Sequence, residues 1–183
     1  MSKAVLFFAD GTEECEALLV ADLLRRARVE VIIASAMGRR ALVSSHGIHL
    51  NADALAEDVD YSDVDMVILP GGLGGVHSIL ASETAMNFIR LAYEKNCLIA
   101  AICAAPTILA SLHITDGRRA TCYPGLEDQM DAAKMIPCGA VQDGNVITGR
   151  AAGSADEFGL ACLRALKGED TARQVASDIV YRV

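Results

Sequence analysis

The chain has 183 residues, 52% of them hydrophobic, and a mean hydropathy of +0.33; a chain of this size buries roughly 70% of the surface its unfolded form exposes, in one compact domain. Acidic side chains outnumber basic ones 24 to 16, for a net charge of −8 and a pI near 4.9, which leaves no broad cationic face to neutralise phosphates and excludes nucleic acid as an expected partner. No apolar stretch approaches ~20 residues, so no membrane span is expected.

Lys3 to Ala9 reads as a short apolar strand, with neither the length nor the cleavage signals of a secretory leader, which points to a reducing, cytoplasmic setting. Asp10-Gly11-Thr12 is a turn, and Glu13 to Ala27 a helix with Ala17, Val20, Ala21 and Leu24 on one apolar stripe. Val29 to Ala36 is a second strand. Met66 to Leu69 is another, running into Pro70-Gly71-Gly72-Leu73-Gly74-Gly75, and Ser82 is placed to cap a helix reaching about Lys95. Leu98 to Ile102 is the next strand, and Pro106 suits the first turn of a helix continuing to Leu112. Asp143-Gly144-Asn145 separates Val141 from Val146-Ile147-Thr148 and predicts a hairpin near one sheet edge, followed by helices over Ser154 to Leu166 and Asp170 to Ser177. This βαβ rhythm predicts one α/β domain over residues 1–183, a flavodoxin-like, doubly wound, mainly parallel sheet with helices on both faces. Ligands of such sheets bind beyond the carboxyl ends of the strands, where Asp10 to Thr12, Pro70 to Gly75 and Cys103 to Pro106 should meet.

Six cysteines lie scattered, with no C-x-x-C pair and no cysteine–histidine metal spacing, and most read as small buried hydrophobes. Cys103 differs, because it directly follows a buried strand and precedes a helix, with Ala104 and Ala105 small enough for a sharp turn. A helix amino end favours thiolate, but lowering a thiol from about 8.5 to about 5.5 requires roughly 4 kcal/mol and a helix terminus supplies at most ~2. Glu16 is the candidate for the missing contact, since it shares a helical stripe with Val20 and Leu24 and so points inward, where its pKa should rise and its proton remain available to a thiolate. Spacing alone leaves open that Glu16 is an ordinary exposed charge. Glu13 and Glu14 lie off the stripe and read as first-turn charges facing solvent. The amides of Gly71, Gly72 and Ala104 would offer an oxyanion site, although a glycine-rich loop equally suits a phosphate. No histidine adjoins Cys103: His113 lies ten residues on, about 15 Å along the following helix, and His46, His49 and His77, open as spatial neighbours, read first as surface or structural residues, which leaves a cysteine–histidine protease unsupported.

Three motifs, Gly11-Thr12-Glu13-Glu14-Cys15-Glu16-Ala17, Leu69-Pro70-Gly71-Gly72 and Ala100-Ala101-Ile102-Cys103-Ala104-Ala105-Pro106, closely resemble the ThiJ/PfpI superfamily in its DJ-1 and YajL-like branch. The likeness covers almost the whole chain in order. It implies a homodimer in which Cys103 is the oxidisable nucleophile, Glu16 its protonated partner, and the amides of Gly72 and Ala104 line an oxyanion pocket. Protease-like relatives carry histidine directly after the nucleophile, where this chain has Ala104. Glutamine amidotransferases of related fold use a late histidine–glutamate pair, where this chain has Asp156-Glu157 and no histidine. Tyr123 stands where DJ-1 proteins often place a pocket histidine, and Arg28 replaces the usual helix-ending glycine. The resemblance implies a cofactor-free glyoxalase or deglycase acting on methylglyoxal or early protein glycation adducts, with no metal. The alternative from another class is a redox sensor or holdase working through oxidation of Cys103.

Overall fold

A computed structural model describes residues 1–130 and 132–182. In chain order the elements are β1 (Lys3–Phe8), α1 (Glu14–Arg26), β2 (Glu30–Ser35), β3 (Ala41–Val43), β4 (His49–Asn51), β5 (Ala54–Leu55), β6 (Met66–Leu69), α2 (Leu73–Ala81), α3 (Glu83–Glu94), β7 (Leu98–Ile102), α4 (Pro106–Ser111), β8 (Arg119–Ala120), β9 (Lys134–Met135), β10 (Ala140–Asp143), β11 (Val146–Gly149), α5 (Ala155–Lys167) and α6 (Glu169–Asp178). Seven strands form the central sheet in the order β10-β11-β7-β6-β1-β2-β5. All neighbours run parallel except the edge hairpin β10–β11.

The strands read as continuous apolar runs because both faces of the sheet are covered. Side chains alternate between two cores. Leu6, Phe8, Ile68, Ala100 and Ile102 pack beneath α1, α5 and α6, with Val20, Leu24 and Phe158; Val5, Phe7, Val67, Leu69 and Ala101 pack beneath α2, α3 and α4, with Ile79, Ile89 and Ile108. Phe88 meets Phe7 edge-on, with ring centroids 5.3 Å apart, in the second layer. Strand order reverses around β1, which has β2 on one side and β6 on the other. The loops after β1, β6 and β7 therefore converge at one end of the sheet, the place where such folds hold ligands. Helix α2 and the small hairpin β3–β4 go beyond the elements expected from the sequence. Among the described residues no helix is long and apolar enough to cross a membrane.

Candidate functional site

Cys103 leaves β7 with φ +66°, a left-handed conformation uncommon for a residue with a side chain. Two backbone hydrogen bonds hold it there. Its amide donates to the Gly149 carbonyl at the end of β11 (3.0 Å), and its carbonyl accepts from the Tyr123 amide (2.7 Å). Strain of this kind persists only where the surroundings over-determine it, and the left-handed turn is what lifts the sulfur away from the strand. Pro106 then begins α4 at its first position.

Glu16 approaches from α1 and is fully buried. Its Oε2 accepts from the Gly71 amide at 2.8 Å, while Oε1 has no protein hydrogen-bond partner among the described residues. Burial drives the carboxyl up to about 7 against the opposing pull of the Cys103 side chain and the Gly71 amide. Burial, then the negative charge of an ionised Glu16, push the Cys103 thiol up to about 12, while the amides of Gly72 and Ala104 draw it down. An ionised Glu16 opposes the thiolate, so the two groups resist carrying negative charge at the same time. Among the described residues no histidine lies in the cavity that Cys103 lines.

Gly71 is the residue around which the pair is assembled. A Cβ there would lie 2.6 Å from Cys103 Cβ, 2.6 Å from Glu16 Oε2 and 3.1 Å from Cys103 Sγ. Gly72, at φ +84°, serves a different purpose: a Cβ would collide with the Gly11 carbonyl oxygen and lie 2.6 Å from the Glu13 amide nitrogen. The glycines thus let the loop after β6 pack backbone to backbone on the turn after β1, secured by the Glu13 amide donating to the Gly71 carbonyl at 3.0 Å.

The first-turn glutamates depart from the sequence expectation. Glu14 is buried rather than solvent-facing, and the Glu13 side chain is only 16% exposed. The cause is the segment between β3 and β4, fastened over α1 by the Gly11 amide donating to the Val43 carbonyl (2.9 Å) and the Ser45 amide donating to the Thr12 carbonyl (2.9 Å). The Ser45 hydroxyl is 3.0 Å from both Glu13 Oε2 and Glu14 Oε2, and His46 Nδ1 is 2.9 Å from Glu14 Oε1. Glu13, Glu14 and His46 also have donor atoms within 4.8 Å of one another, the only grouping with metal-ligand spacing among the described residues.

A cavity of about 320 Å³ opens over the sulfur, bounded by Glu13, Gly72, Leu73, Ala104, Tyr123 and Leu126 among others. Cys103, Gly72, Ala104 and Tyr123 were singled out from the sequence; Glu13 and Leu73 were not. Only the position of Glu13, at the cap of α1 beside the Gly71 carbonyl, marks it, and that contact is long-range.

Residues 2–165 match the model of the DJ-1/PfpI family. The chain is 36% identical to protein dj-1beta of Drosophila melanogaster, with 98% of each chain covered. It is 30% identical to a deglycase of Pyrococcus abyssi, with 82% of this chain and 91% of that one covered. Its structure superposes on that of a C103A mutant of a DJ-1 superfamily protein from Salmonella typhimurium with a TM-score of 0.95, at 30% identity and complete coverage of both chains. Fold and sequence together make this chain a member of the DJ-1/PfpI family.

Proposed function

We propose that the chain is a cysteine-dependent, cofactor-free glyoxalase or deglycase acting on methylglyoxal or on early glycation adducts of proteins. The observation that carries the reading is the buried Glu16 carboxyl, with Oε1 unpartnered, beside the thiol of Cys103 in an open cavity. A carboxyl poised near neutrality serves as acid in one step and base in the next. Similarity to a protein named as a deglycase supports the substrate class.

Cys103 thiolate attacks the aldehyde carbon of methylglyoxal, and the new alkoxide takes the Glu16 proton to give a hemithioacetal. The amides of Gly72 and Ala104, which already face the sulfur, receive the oxygen as its charge develops. Glu16 carboxylate then removes the hydrogen from the former aldehyde carbon, and the enediol is reprotonated at the neighbouring carbon to give a lactoyl thioester. Water cleaves the thioester, releasing lactate and regenerating the thiol, so the net reaction adds one water to methylglyoxal. With Glu16 protonated, the charge that most opposes the thiolate after burial itself is gone. A homodimer in the cytoplasm belongs to the same proposal.

The test is methylglyoxal consumption without glutathione by wild type, Cys103→Ala and Glu16→Gln. Loss of activity in both variants supports the proposal. Equal rates in wild type and Cys103→Ala rule it out.

A further inference from the structure

The cavity over Cys103 has an electrostatic character that the reaction does not require. Among the described residues that bound it, Glu13 is the one charged side chain at the mouth; none is Lys, Arg or His, and the remaining wall includes Leu73, Tyr123, Pro124 and Leu126. Glu13 is held in place by the Ser45 hydroxyl at 3.0 Å, with His46 Nδ1 at 3.6 Å from the same carboxylate oxygen. The His46 ring is 69% exposed, so solvent weakens any compensation it offers. The influence of Glu13 also reaches the reacting pair, since its charge is among the causes that hold Glu16 up.

We propose that Glu13 is a specificity-determining residue: its carboxylate at the cavity mouth rejects anionic carbonyl compounds such as 2-oxo acids and admits neutral or cationic ones. The substrate class follows from the wall chemistry. An aldehyde bearing a carboxylate would bring a second negative charge against Glu13 with no cation in the wall to receive it. An ammonium or guanidinium arm would find Glu13 on one side and the half-exposed face of Tyr123 on another. The proposal refines the reading of Cys103 as a nucleophile toward carbonyls.

The experiment reads charge selection at the sulfur without needing turnover. Alkylation rates of Cys103 by iodoacetate, iodoacetamide and bromoethylamine are followed by peptide mass spectrometry in wild type, Glu13→Gln, Glu13→Asp and Glu30→Gln. Glu30 is exposed, and Glu30→Gln removes the same net charge away from the cavity, which separates a local effect from that of the whole acidic molecule. A unit charge several ångströms from the reacting sulfur, partly solvated, corresponds to a change of roughly five- to tenfold. The iodoacetate-to-iodoacetamide ratio should rise by that factor in Glu13→Gln, and the bromoethylamine-to-iodoacetamide ratio should fall by it, while Glu13→Asp and Glu30→Gln keep the wild-type ratios. Equal ratios in Glu13→Gln and Glu30→Gln overturn the proposal. Should Glu13→Gln not fold, wild type decides: methylglyoxal should protect Cys103 from iodoacetamide and glyoxylate should not, and glyoxylate protecting at least as well overturns it. Failure of methylglyoxal turnover alone would remove the enzymatic reading and leave the alkylation ratios to judge Glu13.

Discussion

Glu14 and Glu16 stand two residues apart on α1, both buried, and their carboxyls are driven in opposite directions. Burial alone would raise Glu14, but its own amide, the hydroxyls of Ser44 and Ser45 and the His46 ring bring it down to about 2. Glu16 lies deeper, has fewer donors and sits at about 7. Greater depth and fewer donors together leave Glu16 with its proton, while Glu14 gives its proton up.

The pH dependence of stability follows for Glu16. In the folded chain it holds its proton up to about 7, whereas an unfolded glutamate releases it near 4.5. The folded state binds more protons in that window, so this residue's contribution to stability falls as pH rises from 4.5 to 7, by about 3 kcal/mol. Urea unfolding of wild type and Glu16→Gln across the window should converge at acid pH and separate toward neutrality, with the variant gaining relative stability. Parallel curves would show that Glu16 is ionised throughout.

Glu14 carries the opposite sign. Its lowered value means stability fully present above 4.5 and lost as pH falls toward about 2. Glu14→Gln should therefore be less stable than wild type near neutrality and differ little from it at the acid end. Acid titrations of the unfolding free energy, with the far-ultraviolet circular dichroism of both proteins, check this.

Much of this arrangement was legible in the chain because local and tertiary demands agree. Met66–Leu69 and Leu98–Ile102 are apolar at every position, as strands buried on both faces must be, and Ser82 caps α3 by accepting from the Ala85 amide at 3.3 Å. The inward stripe Glu16, Val20 and Leu24 is buried as its spacing implies. Legibility ended where distant segments decide. Gly74 and Gly75 read as loop, yet they lie within α2, where their lack of side chains lets that helix pack on Gly11 and Thr12. Glu14 departs from the solvent-facing expectation because the hydroxyls and imidazole that enclose it arrive from Ser44, Ser45 and His46, some thirty residues away.

Gly71 should be the least replaceable residue of the site after Cys103 itself. The methyl of Gly71→Ala would press on both the cysteine and the Glu16 carboxylate, atoms fixed by backbone and burial. A loss of roughly 1–3 kcal/mol in stability and of most iodoacetamide reactivity at Cys103 is expected. Gly153→Ala, where nothing lies within 4 Å of an added Cβ, should leave both unchanged.

Two left-handed residues separate strain that serves the site from strain that does not. Arg28 follows α1 at φ +58°, its amide donating to the Arg25 carbonyl at 3.0 Å, a position at which glycine is the residue of lowest cost. Arg28→Gly should raise stability by about 1 kcal/mol, and the melting temperature by about 2–4 °C, without altering Cys103 labelling. At Cys103 the same relief is available, since Cys103→Gly removes the Cβ that disfavours φ +66°. Cys103→Gly should be more stable than Cys103→Ala by about 1 kcal/mol, the reverse of the usual order for these two residues. If Cys103→Ala proves the more stable, the left-handed turn at the nucleophile is not strained, and the sulfur owes its position to packing alone.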